Sequence, residues 1–329
     1  PIQSNAPRVS PGKKSSAEVI ESVIDKKMSM AIFCTASHWN TEAILLAAKK
    51  FCDKYQIESV PLAVAMTFNY PHMPQAQRVT HSKNAKLGFQ SIMDHLHLLC
   101  ESPDSPYRNI TVLPHLDHAD PERDEWALTD GTKYLASAMF DAQRYPSGKN
   151  IDMTREYVRS FGKKILVEGI MEELVVADKH EKSTGSSDNY LERAREYVRS
   201  TGIDFLVADL GTEQQSSKSD AHYMNARAKG LTAALGRKML VLHGTSSLNT
   251  EQMHGLSDDG VVRVNMWTKI AREAGKFAAA GLFQRAESIS NNDFESIESN
   301  RYIMDSIDKA SDMMLDVLEA LNYANFARL

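Results

Sequence analysis

The stretch TVLPHLDHAD, residues 111–120, begins as an apolar run and ends in three ionisable side chains. Its first half has the apolar, β-branched composition of a buried strand. Its second half places His115, Asp117 and His118 where that strand would end. Strand alternation directs His115 and Asp117 to one side and His118 to the other unless the strand is already turning, so we interpret the cluster as part of a rim.

Seven further runs of this kind occur along the chain, and longer amphipathic segments separate them. The eight runs are MAIFCT from Met30, VPLAVAM from Val60, ITVLPHLD from Ile110, LASAMFDA from Leu135, KILVEGI from Lys164, DFLVADLG from Asp204, KMLVLHG from Lys238 and VVRVNMW from Val261. Residues typical of helix starts precede several of the segments, namely Asn40, Asn150, Asn189 and Asn249. Such alternation predicts parallel strands joined by helices.

Eight strand–helix units in 329 residues predict an α/β protein with a (β/α)8 TIM barrel. We expect a flexible N-terminal arm over residues 1–16, the barrel over 17–286 and a C-terminal helical extension over 287–329. In the extension, Met and Leu recur at three- and four-residue spacing. This pattern predicts a helix that docks on the barrel or on a second subunit.

Composition excludes several classes of function. The net charge is −5 and no long Lys/Arg run occurs, which argues against a nucleic-acid-binding protein. No apolar segment approaches the length needed to cross a bilayer, and the N-terminal residues lack the apolar core of a signal peptide. Cys34, Cys52 and Cys100 are widely spaced and odd in number, which argues against a disulfide framework. We therefore expect a cytoplasmic protein.

Two strand ends carry histidine. In a TIM barrel, catalytic residues lie at the C-terminal ends of the strands. His115, Asp117 and His118 lie at that end of the third run, and His243 lies at that end of the seventh. A lone histidine there is usually structural, and we interpret His95 and other histidines of MDHLHLLC as helix-face residues. Two such strand ends, one with an adjacent carboxylate, instead predict a site that binds a divalent metal and moves protons.

These residues resemble the class II (metal-dependent) ketose-bisphosphate aldolases, from about Met30 to Phe283. VLPHLDHA is similar to the H-x-D-H segment of that family. It is followed in the same order by LVEGI, VADLG, LVLHGTSS and VVRVNMWT, which are similar to later family motifs. The resemblance implies a lyase that makes or breaks a carbon–carbon bond next to a ketone in a sugar-phosphate-like substrate.

The resemblance also implies roles for individual residues. His118 and His243 match two zinc ligands, and Asp117 matches the acid/base group. His115 and Glu168 match residues close to the substrate. The expected substrate site further comprises Gly244, Thr245, Ser246, Asn265 and Thr268. A mobile loop of the family corresponds to the region around STGSSD, where an acid such as Asp178 or Glu181 is expected to protonate the enediolate.

The sequence departs from the family at the metal site. Gln214 occupies the position of the third zinc-binding histidine, and a Gln carbonyl is a poor zinc ligand. The replacement ligand would be Glu213, Gln214 or His222. Zinc remains the cofactor that the resemblance implies, although oxygen-rich ligation would favour a harder divalent metal.

Further departures lie near the substrate site. Ile170 replaces the second carboxylate of the family's E-x-E, Arg263 replaces a lysine, and the bulky Trp267 stands beside the expected phosphate pocket.

Three hypotheses account for this pattern. The first is an aldolase with a rebuilt metal site. The second is a metal-independent lyase, isomerase or transferase on the same barrel, and the third is a non-catalytic descendant that binds sugar phosphates. Retention of four ionisable groups at strand ends argues against the third. A small-molecule substrate and a homo-oligomeric assembly are expected in the first case.

Overall fold

Eight parallel strands close into a barrel in chain order, so that β1 pairs with both β2 and β8. The strands are β1 (Met30–Cys34), β2 (Pro61–Thr67), β3 (Thr111–Ala119), β4 (Ser137–Phe140), β5 (Leu166–Ile170), β6 (Phe205–Val207), β7 (Leu240–Leu242) and β8 (Val261–Met266). Every strand residue is buried, which explains why the strands read as continuous apolar runs rather than alternating ones. The predicted (β/α)8 barrel is confirmed.

Helices surround the barrel and continue beyond it. They are α1 (Lys13–Asp25), α2 (His38–Tyr55), α3 (Gln75–Arg78), α4 (Ala85–Glu101), α5 (Glu125–Leu128), α6 (Ser147–Phe161), α7 (Tyr190–Thr201), α8 (Asn225–Leu235), α9 (Thr250–Asp259), α10 (Thr268–Gln284), α11 (Ala286–Ser290) and α12 (Ser299–Ala320). The described residues also form two 3₁₀ turns, Asp130–Tyr134 and Tyr323–Phe326.

This computed structural model describes residues 13–172, 189–212, 223–245, 248–293 and 299–327. Most of the predicted N-terminal arm therefore lies outside the described residues, and α1 begins within the remainder of it at Lys13. Among the described helices, none combines the length and apolar composition needed to cross a membrane.

Two predicted helix starts are wrong by several residues. Helix α2 begins at His38, because the side chain of Ser37 accepts the backbone N–H of Asn40 and so acts as the N-cap. Helix α6 begins at Ser147, one turn before Asn150. Asn150 is instead buried, and its side-chain amide donates to the carbonyl of Ile170 at 2.9 Å. The capping prediction at Asn249 is confirmed, with reciprocal hydrogen bonds to Gln252.

The C-terminal extension docks on the barrel, as one of the two predicted arrangements has it. Helix α12 packs against α2 and α10, with Met314 and Leu318 buried. Beyond it, the buried hydroxyl of Tyr323 accepts the backbone N–H of Ala31 at 2.9 Å and donates to the carbonyl of Pro61 at 2.8 Å. These residues lie at the starts of β1 and β2, so the end of the extension is anchored at the N-terminal end of the barrel.

Gly260 links α9 to β8, and substitutions there test how tightly this turn is packed. Its φ of +97° lies in the left-handed region, and a Cβ there would collide with Thr232. Gly236 has a similar φ of +71° but open space around it. We expect Gly236→Ala to lower the free energy of unfolding by about 1–2 kcal/mol, the cost of the left-handed backbone. Gly260→Ala should cost about 1–3 kcal/mol more, because the added methyl group overpacks the site.

Urea denaturation of both variants and the wild type measures this difference. Equal losses of stability in the two variants would contradict the predicted contact between position 260 and Thr232.

Candidate active site

The C-terminal end of β3 carries three buried ionisable groups whose orientation differs from simple alternation. The register between β3 and β4 shifts between Leu116 and Ala119. His118 has a φ of 45°, a left-handed backbone conformation that is unusual for a residue other than glycine. As a result Asp117 and His118 both line the same pocket. The strand is already turning at His118, which is the exception to simple alternation that the sequence left open.

His243 completes a cluster that could hold a metal ion. It follows β7, and a potential ligand atom from each of Asp117, His118 and His243 lies within 4.8 Å of the others. The rings of His118 and His243 meet edge to face with centroids 5.0 Å apart. The Nε2 of His243 and the Oδ1 of Asp117 are buried and have no hydrogen-bond partner among the described residues. Buried polar atoms of this kind are costly unless something binds them.

The ring of His118 is held from two sides. Its Nδ1 lies 2.8 Å from Oδ2 of Asp141, a residue that directly follows β4. The ring of Tyr70 stacks on it with centroids 4.5 Å apart and an interplanar angle of 13°. A carboxylate on the far nitrogen of a histidine fixes the tautomer and strengthens the near nitrogen as a metal ligand. Sequence reasoning missed Asp141, although its place at a strand end was a usable signal.

Electrostatics favours a neutral His243 and an ionised Asp117. Burial lowers the pKa of His243 to about 4. Burial alone would raise the pKa of Asp117, but His118, His243 and His115 outweigh it and lower that pKa below its usual value. For His118, burial is outweighed by Asp117 and Asp141, which raise its pKa. The pocket therefore presents a carboxylate and an imidazole lone pair at neutral pH.

His115 and Glu168 lie one layer deeper in the barrel than the metal-capable cluster. Glu168 forms a fully buried ion pair with Arg263, and its other oxygen lies 3.6 Å from Nε2 of His115. Nδ1 of His115 is 2.9 Å from the hydroxyl of Ser137. Neither His115 nor Glu168 is among the residues that line the pocket. The sequence grouped both with the substrate-binding residues, whereas the structure places them beneath the pocket.

The opposite wall of the pocket comes from the ends of β7 and β8. Among the residues expected at the substrate site, Gly244, Thr245, Asn265 and Thr268 line it, and Trp267 stands beside them. Gly244 has a φ of +71°, which permits the tight turn after His243. The hydroxyl of Thr245 donates to the carbonyl of Asn265 at 2.8 Å, so the two strand ends are joined.

Comparison with known proteins assigns the family. The family described as fructose-bisphosphate aldolase class-II has a sequence model that matches residues 14–325. The chain belongs to this family. It is 29% identical over 195 residues to the 6-phospho-5-dehydro-2-deoxy-D-gluconate aldolase of Shouchella clausii (strain KSM-K16), with 55% of this chain and 60% of that protein covered. It is 28% identical over 188 residues to the fructose-bisphosphate aldolase of Geobacillus stearothermophilus, with 55% and 62% covered.

The match thus spans less than two thirds of the length of either curated relative. The crystal structure of fructose-bisphosphate aldolase from Campylobacter jejuni superposes with a TM-score of 0.70 and covers 94% of each chain. At 13% sequence identity, this likeness shows the fold alone.

Several residues expected at this class-II aldolase site fall outside the described residues. They are Glu181, Glu213, Gln214 and Ser246, together with Asp178 and His222 among the alternatives. The described residues therefore include the potential metal-binding groups at the ends of β3 and β7. The contribution of the loops after β5 and β6 to the site stays a prediction.

The low pKa of His243 predicts a pH dependence of stability. In the unfolded chain a histidine takes up a proton near pH 6.5, whereas folded His243 does so only at about pH 4. Between these values the unfolded state binds the extra proton, so the free energy of unfolding falls as the pH drops. The contribution is at most about 1.4 kcal/mol per pH unit. We expect His243→Gln to remove this slope in chelator-treated protein.

Denaturant titrations at several pH values between 4 and 6.5 measure the slope. The matched control is His97→Gln, because His97 is exposed on α4 and lies outside the pocket. An unchanged slope in His243→Gln would mean that His243 is not held neutral by burial.

Proposed function

We propose that the chain is an aldolase-type lyase that makes or breaks a carbon–carbon bond next to a ketone in a sugar-phosphate-like substrate. The observation that carries this proposal is the convergence of Asp117, His118 and His243 in one buried cluster at the C-terminal face of the barrel. Membership of the class-II fructose-bisphosphate aldolase family and the aldolase names of both relatives support the same reaction type.

The donor set fits a divalent metal. His243 offers a buried Nε2 with no partner among the described residues, and Asp141 engages Nδ1 of His118, which directs Nε2 of that ring to a metal. A divalent cation held by these nitrogens would supply a Lewis acid for the carbonyl oxygen of the substrate. Zinc is the ion that the family resemblance implies, and the third ligand, whether Glu213, Gln214 or another group, stays a prediction.

We assign the proton transfer to Asp117. Its Oδ1 is buried in the pocket wall without a partner among the described residues, and its carboxylate is ionised at neutral pH. In the cleavage direction it accepts the proton of the hydroxyl on the carbon that becomes the aldehyde. The electron pair of the broken carbon–carbon bond passes toward the former ketone to give an enediolate, which must then be protonated. Glu181 is our proposed acid for that last step.

The substrate's anionic group is best accommodated at the ends of β7 and β8. Gly244, Thr245 and Thr268 line this side of the pocket, and α10 begins at Thr268, so its N-terminal N–H groups and dipole favour an anion there. Among the described lining residues none is Lys or Arg. Recognition of a phosphate by these residues would therefore rely on backbone N–H groups and hydroxyls. A homo-oligomeric assembly in the cytoplasm is part of the same proposal.

Asp117→Asn tests the proposal most sharply. Asn has the same size but cannot accept a proton, so we expect kcat to fall by about 10²–10⁴-fold, the usual contribution of a general acid or base. Turnover is measured as aldehyde release in a coupled dehydrogenase assay. The substrates are fructose bisphosphate, 6-phospho-5-dehydro-2-deoxy-D-gluconate and a panel of related sugar phosphates, each tested with protein supplied with Zn²⁺, Mn²⁺ or Mg²⁺.

Asp259→Asn is the matched control, because Asp259 is an equally buried carboxylate at the end of α9 and lies outside the pocket. It should retain wild-type turnover. Turnover by Asp117→Asn at the wild-type rate would remove Asp117 from the mechanism, and failure of the wild type to cleave any panel member with any metal would contradict the lyase proposal.

A further inference from the structure

A buried thiol contacts two of the polar groups that line the pocket. Cys34 ends β1 and is 3% exposed. Its Sγ lies 3.2 Å from Oδ1 of Asn265 and 3.7 Å from Oδ2 of Asp117. Asn265 belongs to the neighbouring strand β8 and Asp117 to β3, two strands away on the other side, so this one side chain contacts groups on two other strands. All three residues line the same pocket.

The hydrogen bonds around Cys34 have a defined direction. A thiol has a single proton to donate, and two acceptors lie near the Cys34 sulfur. Oδ1 of Asn265 is the nearer of them, at 3.2 Å against 3.7 Å for Oδ2 of Asp117, so the thiol donates to Asn265. Burial and the nearby Asp117 charge raise the pKa of Cys34 well above its ordinary value, so the thiol keeps this proton.

The hydrogen bond from Cys34 determines what Asn265 presents to a ligand. With its carbonyl oxygen engaged by Cys34, the amide turns its NH₂ group the other way. The Nδ2 of Asn265 and the Oδ1 of Asp117 are both buried, and neither has a hydrogen-bond partner among the described residues. The pocket therefore contains one amide N–H donor and one carboxylate acceptor that have no hydrogen-bond partner among the described residues.

We propose that Cys34 is a positioning residue for the reaction: its thiol fixes the Asn265 amide with Nδ2 toward the substrate. This inference rests on the proposed function. The matching substrate carries an oxygen acceptor for Asn265, such as a carbonyl or enediolate oxygen, beside a hydroxyl that donates to Asp117. Without the thiol, Asn265 can rotate and present its own oxygen, which would repel the oxygen of the substrate.

Substitutions at the three cysteines separate this role from a general effect of losing a buried thiol. Cys34→Ala removes the donor, and Cys34→Ser restores one. Cys52→Ala and Cys100→Ala are matched controls, because these buried free thiols lie on α2 and α4 and do not line the pocket. We expect Cys34→Ala to lower kcat about tenfold, equivalent to about 1.4 kcal/mol of transition-state stabilisation. Cys34→Ser should recover most of that loss, and the controls should match the wild type.

A second measurement does not depend on turnover. The side-chain NH₂ signals of Asn265 in ¹⁵N-labelled protein, identified by their loss in Asn265→Asp, report the orientation of the amide. We expect them to shift or broaden in Cys34→Ala, and to stay at their wild-type positions in Cys52→Ala and Cys100→Ala.

Three outcomes are informative. Displaced Asn265 signals with a reduced kcat support the proposal. Unchanged Asn265 signals in Cys34→Ala overturn it, whatever the effect on rate. Displaced signals in a protein whose wild type cleaves no sugar phosphate would support the positioning of Asn265 by Cys34 while contradicting the proposed lyase activity, so the two failures are distinguishable.

Discussion

The site depends on a buried ion pair inside the barrel. Arg263 and Glu168 are fully buried, on β8 and β5, and Arg263 also donates to the hydroxyl of Ser137 at 3.2 Å. Removing one partner of such a pair typically costs about 3–5 kcal/mol, because the other charge is left uncompensated. The pair also influences His115, since burial and the charge of Arg263 lower the pKa of that imidazole well below its usual value. The layer beneath the pocket therefore holds one compensated pair and a neutral histidine.

This arrangement accounts for two departures from the family pattern. The sequence has Arg263 where the resemblance gives a lysine, and Ile170 where it gives a second carboxylate. A guanidinium has several donors in a fixed plane, so Arg263 can serve both Glu168 and Ser137 where a lysine offers a single charged nitrogen. Ile170 is fully buried at the end of β5 and brings no second carboxylate to that strand end. In the layer beneath the pocket, Glu168 and Arg263 therefore compensate each other.

Much of the fold, and part of the site, could be predicted from the sequence. Eight strand runs and the strand-end histidines were sufficient for the barrel and for the importance of His118 and His243. The orientation of His118 could not be predicted, because strand alternation fails where the backbone turns left-handed, and no glycine marks that position. Asp141 was missed although it follows a predicted strand run, whereas the role of Cys34 appears only when β1 and β8, which are distant in sequence, are brought side by side.

We infer that His118 and His243 hold a divalent metal beside the Asp117 carboxylate, and the metal content of the protein tests this inference most directly. Protein purified without chelator is analysed by elemental mass spectrometry, beside His118→Ala, His243→Ala and the exposed-residue control His97→Ala. We expect close to one divalent ion per chain in the wild type and the control, and its loss in both pocket variants. Absence of metal from the wild type even after reconstitution, or equal metal in all four proteins, would contradict it.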